Sequence, residues 1–270
     1  MFDFVPSRFP IDDPDFVVVD CETTGLDPEQ DTLVEVAALR FRGGALLNSF
    51  ETLVNPGRPI PPTASAIHLI TDADVAHAPD VEDALYELSE FVGHAVVVAH
   101  NASFDREFLT SIGGGRWICS LRLARHLWPD APGYGNQLLR FWLGLNDPRL
   151  GRATVHRAST DALVTGLIFL RELAELQRSN PLPEFEDVAA FVESPVPVQR
   201  FNYGRKHRGD LLTDIPNSYL SWVIDDASAQ PASRRMTLDG DTINAVKLEL
   251  CRRTQRPPSA THSSSSPTFG

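Results

Sequence analysis

The side chains best suited to chemistry in this sequence are four carboxylates and one histidine, which lie in three separate segments. Asp20 and Glu22 are in FVVVDCETTGL, Asp105 is in VVVAHNASFD, and His156 and Asp161 are in TVHRASTDA. Carboxylates that a fold brings to one point bind hard divalent cations, which prefer oxygen ligands and retain waters for substrate phosphates. The pattern therefore predicts a metal centre assembled from three distant parts of the chain.

The first segment predicts a buried strand that ends in two acids. Residues 16–19 are apolar, and Pro14 and Gly25 bound the run. Successive side chains on a strand alternate between its faces, so Asp20 and Glu22 point the same way. Two such carboxylates repel each other unless a cation lies between them. The alternative is that both acids cap the turn that follows.

The second segment predicts another buried strand, residues 96–99, followed by His100, Asn101 and a helix that carries Phe104 and Asp105. A buried acid needs a partner or a metal, and the neighbouring sequence offers Asp105 no obvious partner. His100 is equally consistent with a site residue and with a hydrogen-bonded residue at a strand end.

The third segment predicts a helix from about residue 159 to residue 176, with Asp161 in its first turn. His156 and Asp161 are five residues apart, so on one helix their side chains would point about 140° away from each other. We therefore expect His156 on the loop before the helix, free to approach the metal. A lone loop histidine is usually exposed and without a role, but the other acids favour a catalytic one.

Taken in order, the three segments resemble the D-x-E-T, H-N-x-x-F-D and H-x-A-x-x-D motifs of the DEDDh 3′→5′ exonuclease family. The resemblance implies a ribonuclease-H-like α/β fold, in which helices flank a mixed central sheet. It implies two divalent cations, Mg²⁺ or Mn²⁺, bound by Asp20, Glu22, Asp105 and Asp161. His156 is then the general base that takes a proton from the attacking water.

The same resemblance implies contacts with the terminal nucleotides of the substrate. The residues expected to make them are Thr23, Thr24, Leu26, His100, Asn101 and Phe104. Leu26 is expected to wedge against a base. Phe104 either stacks on a base or packs in the core.

The resemblance implies an exonuclease domain over residues 13–178, preceded by an extension over residues 1–12. Residues 179–198 are rich in proline and acids and predict a linker. Residues 199–226 resemble the small C-terminal module of exonuclease X-like proteins. In that module Arg205, Lys206 and Arg208 are predicted to hold DNA; the alternative is that its glycines and aromatics serve only its own packing. Residues 227–270 predict a short helix and a disordered tail.

The overall composition limits the classes of function. The net charge of −12 argues against a broad basic nucleic-acid surface and favours a footprint of a few terminal nucleotides. No apolar run approaches the roughly 20 residues of a membrane span, and the N-terminus does not predict a secretory signal. The three cysteines are scattered, which favours reduced thiols and a cytoplasmic location.

Together these features predict a metal-dependent 3′→5′ exonuclease that removes nucleoside monophosphates from DNA 3′ ends, in DNA repair. Single-stranded ends are favoured, with RNA left open because the motifs do not select the sugar. The alternatives are an epsilon-like proofreading subunit of DNA polymerase III or an RNA 3′-trimming exoribonuclease. A nuclease-dead nucleic-acid-binding protein is the least favoured reading, and the sequence does not predict the oligomeric state.

Overall fold

A computed structural model describes residues 14–112, 116–150, 156–182, 184–201, 206–229 and 240–255. The chain divides into two compact units between Ser194 and Pro195. The predicted N-terminal extension and the predicted tail beyond residue 255 lie outside the described residues.

Unit 1 is built on one five-stranded sheet with the order β3-β2-β1-β4-β5. Its strands are β1 (Asp15–Thr23), β2 (Leu33–Arg42), β3 (Ala45–Leu53), β4 (Val96–Ala99) and β5 (Trp117–Cys119). The first three strands form an antiparallel meander, whereas β4 pairs parallel to β1 and β5 pairs parallel to β4. The predicted mixed sheet is therefore confirmed.

The central strands are apolar on both faces because helices cover both sides of the sheet. Phe16 and Val18 of β1 belong to one buried cluster, and Val17 and Val19 belong to another on the opposite face. This alternation is the period of a strand. It fixes the register of β1, since a slip by one residue would exchange the two faces.

The helices of unit 1 are α1 (Pro62–His68), α2 (Asp72–Val75), α3 (Val81–Val92), α4 (Ala102–Phe108), α5 (Ser120–Leu127), α6 (Asn136–Trp142), α7 (Ala158–Ser179) and α8 (Phe185–Glu193). The long helix α7 packs along β1 and β2. Gly166 permits its close approach, because a Cβ atom there would lie 2.4 Å from Cζ of Phe41. Helices α3 and α4 contribute to the cluster on the opposite face.

Helix α8 lies within residues 179–198, the segment predicted to be a linker, and it packs into the core of unit 1. Phe185, Val188 and Val192 are buried in the same cluster as α7. The Arg122 guanidinium also donates to the backbone oxygens of Val192 and Ser194, at 3.0 Å each. The acids and prolines suggested exposure, but apolar residues three and four positions apart form one buried helical face.

Unit 2 has a small core of its own, formed by Phe201, Leu212, Ile215, Leu220, Val223 and Val246. Its helices are α9 (Asn217–Ala229), which the sequence analysis did not predict, and α10 (Gly240–Gln255). Val246 of α10 is fully buried in this core. The predicted end of the module at residue 226 was therefore too early, because α10 supplies part of the core.

In the described part of the chain, no helix combines the length and the apolar character that crossing a bilayer requires. The cytoplasmic location remains a prediction.

Candidate metal centre

The predicted carboxylates converge at the end of β1, where three separate elements meet. Asp20 and Glu22 are residues of β1, Asp105 is in the first turn of α4, and Asp161 is in the first turn of α7. Asp105, Asp161 and Glu22 all raise the pKa of Asp20 through their negative charges, after the larger effect of its burial. The sheet thus brings together side chains that are up to 141 positions apart, counted from Asp20 to Asp161.

Glu22, Asp161 and His156 form the tightest group among the described residues. One ligand atom from each side chain lies within 4.8 Å of the others. Two carboxylate oxygens and one imidazole nitrogen at this spacing could bind one small cation. Asp20 and Asp105 are the adjacent acids that extend the site.

Without a cation, the acids cannot all carry a negative charge at neutral pH. Burial, followed by the charges of Asp161, Glu35 and Asp105, raises the pKa of Glu22 to about 8. Burial raises the pKa of Asp105 to about 7. Divalent cations suit such a cluster, because their positive charge would favour the ionised form of the carboxyl groups.

Asp105 has a protein partner that the sequence analysis missed. The Cys21 thiol donates to Oδ1 of Asp105 over 3.5 Å, and both side chains are buried. Strand alternation places Cys21 opposite to Asp20 and Glu22. Because α4 lies at the end of β1, Asp105 is close to Cys21 and also acts electrostatically on Asp20.

His156 lies before the first residue of α7, in the position predicted from the sequence. Its backbone is in the left-handed region, with φ of 58°. Its backbone N–H donates to Oδ2 of Asp161 at 3.0 Å, and this hydrogen bond connects the loop to the first turn of α7. The side chain is exposed, as a group that exchanges protons with water requires.

An ion pair between Glu35 and Arg157 fixes the start of α7, and the sequence analysis missed it. Arg157 Nε donates to Oε1 of Glu35 at 2.9 Å, and the backbone N–H of Ala158 donates to Oε2 at 2.8 Å. Glu35 is buried in β2, directly opposite Glu22 in the strand pairing. The sequence signal for this ion pair is the position of Glu35 within the apolar run LVEVAAL, because a buried acid needs a partner.

Two amides at the start of α6 bind the Asp161 region, and they too were missed. Gln137 Nε2 donates to Oδ1 of Asp161 at 2.9 Å. Asn136 Nδ2 donates to the backbone oxygen of Asp161 at 3.1 Å and to Oγ1 of Thr165 at 2.7 Å. Each carboxylate oxygen of Asp161 therefore accepts one N–H, from Gln137 or from His156. This arrangement fixes the orientation of the carboxylate.

The loop after β1 uses its two threonines internally. The Thr23 hydroxyl donates to the backbone oxygen of Gly25 at 2.5 Å, and the Thr24 hydroxyl donates to Oδ1 of Asp31 at 3.0 Å. Both threonines are buried, whereas Leu26 is 82% exposed. The structure therefore gives the threonines a role in shaping the loop and leaves Leu26 accessible to a ligand.

The other residues predicted to contact substrate have partners within unit 1. His100 Nε2 lies 2.7 Å from the backbone oxygen of Tyr134, and its Nδ1 lies 3.4 Å from the Ser120 hydroxyl. The ring of Phe104 is 5.0 Å from that of Phe108 and packs against the core. Asn101, at φ of 73°, is exposed beside α4. Packing thus accounts for His100 and Phe104, and their contact with substrate stays a prediction.

A mixed sheet flanked by helices, with carboxylates converging at one strand end, defines the class of metal-dependent nucleases with a ribonuclease-H-like fold. Comparison with known proteins agrees. A family model described as "Exonuclease" matches residues 17–111. Exodeoxyribonuclease 10 of Escherichia coli strain K12 is 34% identical over 224 residues, covering 82% of this chain and 96% of the relative. The chain therefore belongs to this exonuclease family, and it is a 3′→5′ exonuclease.

Further relatives include the DNA polymerase III subunit epsilon of Aquifex aeolicus, 35% identical over 61% of this chain and 83% of the relative. Among solved structures, exonuclease X in complex with 5′ overhanging duplex DNA is 36% identical, with a TM-score of 0.56. The match covers 66% of this chain and 99% of that chain. Exonuclease I of E. coli with a dA16 oligonucleotide matches at a TM-score of 0.51 and 18% identity, and so shows the fold alone.

The raised pKa values predict how stability depends on pH when no metal is bound. In the folded protein the pKa of Glu22 is about 8 and that of Asp105 is about 7, whereas both carboxyls ionise near pH 4 in the unfolded chain. Folding therefore requires these groups to keep protons that the unfolded chain has already lost, and this cost grows as the pH rises. We therefore expect the metal-free protein to lose thermal stability as pH rises from 5 to 8, and Mg²⁺ to reduce that loss. The effect is measured by thermal melts in chelator across this pH range. Asp20→Asn is the control, and its melting temperature should depend less on pH because one acid of the cluster is removed. A metal-free stability that is flat or rising over this range would contradict the assignment.

The Gln137 contact predicts an effect on metal affinity. Gln137→Met keeps the length of the side chain and removes its N–H donor to Asp161. We expect the Mn²⁺ affinity measured by calorimetry to fall on the order of 10-fold, as for other groups that orient metal ligands. Leu138→Ala, at the next, partly exposed position of the same helix, is the matched control. Unchanged Mn²⁺ affinity in Gln137→Met would show that the contact does not orient Asp161.

Proposed function

We propose that this protein removes nucleoside monophosphates from the 3′ ends of DNA in a metal-dependent reaction. The observation that carries the proposal is the convergence of Glu22, Asp161 and His156 within 4.8 Å, next to the buried Asp20 and Asp105. Carboxylates are suited to bind cations, and an exposed imidazole beside them is suited to accept a proton. The match to exodeoxyribonuclease 10 over nearly the whole of that protein supports DNA as the substrate.

The donor set fits hard divalent cations, and we propose two Mg²⁺ or Mn²⁺ ions. Asp20, Glu22, Asp105 and Asp161 are the residues that would hold them. Carboxylate oxygens are suitable ligands for these ions. The raised pKa values of Glu22 and Asp105 support the proposal, because a bound cation would offset the cost of ionising both groups. When bound, such ions polarise a phosphoryl oxygen and lower the pKa of a coordinated water.

The protein side chains have separate tasks around the scissile phosphate. His156 accepts the proton of the attacking water, because its ring lies beside Glu22 and Asp161 and is open to solvent. Gln137 and the His156 backbone keep the Asp161 carboxylate in one orientation. Leu26, exposed beside the site, contacts the terminal base.

The substrate we favour is a single-stranded 3′ end. The net charge of −12 does not suit a long duplex footprint, and a narrow site contacts only a few nucleotides. A proofreading subunit is the alternative that the epsilon relative supports. Against it, the match to exodeoxyribonuclease 10 covers 82% of this chain, whereas the match to the epsilon subunit covers 61%.

A substrate panel tests the proposal. Labelled single-stranded DNA, duplex DNA and RNA are incubated with Mg²⁺, with Mn²⁺ and with chelator, and the products are resolved by length. We expect stepwise loss of mononucleotides from the 3′ end of DNA, fastest on single strands, and none in chelator. Asp161→Asn should abolish this activity. Faster degradation of RNA than of DNA, or cleavage in chelator, would contradict the proposal.

Replacing His156 separates the general base from the metal ligands. His156→Ala should lower the rate by ~10²–10⁴-fold while the metal affinity stays near that of the wild type. The residual rate should rise with pH, because hydroxide can replace the missing base. Rate measurements from pH 6 to 9 and calorimetry with Mn²⁺ decide between the roles. A large loss of metal affinity in His156→Ala would identify the histidine as a ligand instead.

A further inference from the structure

Unit 2 presents an aromatic surface on α9, in which Tyr219 packs against the core and Trp222 lies outside the buried cluster. Along α9, Leu220 and Val223 are buried in the core, whereas Trp222 is 51% exposed. Tyr219 lies three positions before Trp222, so the two rings share one side of the helix. Their ring centres are 5.4 Å apart and their planes are tilted by 42°. A half-exposed indole offers a large, flat face on which a planar ligand can stack.

The aromatic surface is held in one arrangement by the loop that precedes α9. The Tyr219 hydroxyl donates to the backbone oxygen of Lys206 at 3.2 Å, and the ring of His207 lies 4.7 Å from that of Tyr219. The fully buried Phe201 packs edge-on against Tyr219 at 5.9 Å. These three contacts fix the ring of Tyr219. The Trp222 side chain therefore lies against a rigid neighbour, and it loses little conformational freedom when a planar ligand stacks on the indole.

Positive charge borders the rings. The Lys206 ammonium lies 5.4 Å from the centre of the Tyr219 ring, and Arg208 is exposed two positions later. A nearby acid, Asp210, places its Oδ2 atom 2.8 Å from Nδ1 of His207. Arg205, the third cation predicted to hold DNA, lies outside the described residues. Aromatic faces beside cations are complementary to a strand of stacked bases and anionic phosphates.

We propose that Trp222, Tyr219 and Lys206 of unit 2 form a binding surface for single-stranded DNA. A base stacks on the exposed indole of Trp222, and Lys206 neutralises a neighbouring phosphate. The inference rests on the proposed function for the class of its ligand. Of the aromatic residues in unit 2, Phe201 is a core residue and Trp222 supplies the stacking face.

Binding to the full-length protein in chelator tests the surface without cleavage. Fluorescence anisotropy of labelled dT20 measures affinity for the wild type, Trp222→Ala, Trp222→Phe and Lys206→Ala. Tyr86→Ala is the matched control, because Tyr86 is an exposed aromatic residue on α3 of unit 1. We expect Trp222→Ala to weaken binding on the order of 5–100-fold, the range for one lost stacked base, and Tyr86→Ala to have no effect.

Two further readouts keep the test decisive if Trp222→Ala disturbs the fold of unit 2. Trp222→Phe should bind dT20 within a few-fold of the wild type but lose the tryptophan quenching that stacking causes. Lys206→Ala should flatten the slope of log affinity against log salt by ~0.7, the value for one lost phosphate contact on a single strand.

Cleavage of a dinucleotide with Mg²⁺ separates this proposal from the proposed function. The rate should be the same in every unit 2 variant as in the wild type, because so short a substrate is bound at the metal centre alone. Absent cleavage in the wild type would refute the proposed function but leave the binding test intact. Wild-type dT20 affinity and quenching in the Trp222 variants would overturn the DNA surface and point to a protein contact instead.

Discussion

The cost of removing clustered carboxylates from water at the end of β1 is the constraint on which the candidate site of unit 1 depends. Asp20, Glu22 and Asp105 all have raised pKa values, with burial as the largest cause in each case. Such a cluster costs stability in the absence of cations. It persists because two apolar clusters hold the strand rigidly from both faces. The stability of the sheet therefore holds the ligands close enough for metal-dependent chemistry.

The polar residues around the cluster act chiefly on orientation. Gln137 and the backbone of His156 each donate to one oxygen of Asp161, and the two bonds fix the orientation of that carboxylate. Glu35 and Arg157 fix the start of α7 from the neighbouring strand. Ligands placed in this way need little rearrangement when a cation binds, and preorganised charge is the main source of catalysis in phosphoryl transfer.

The two units provide different kinds of surface. Unit 1 concentrates buried acids, so its contact with a polyanionic substrate depends on added cations. Unit 2 presents the exposed Trp222 ring beside Tyr219 and Lys206, the surface proposed above to contact a single strand. Under the two proposals, this division accounts for how a chain with a net charge of −12 acts on nucleic acid without a broad basic face.

The sequence alone determined the features that depend on local periodicity. These are the strand that directs Asp20 and Glu22 to one side, the loop position of His156, and the helix that carries Asp161 in its first turn. Only the tertiary structure decided the contacts between distant segments, such as Gln137 with Asp161 and Glu35 with Arg157. It also placed α8 in the core and divided the aromatics of unit 2 into a buried Phe201 and an exposed Trp222. The physical reason is that side-chain alternation follows from backbone geometry, whereas burial and hydrogen-bond partners depend on which elements pack together.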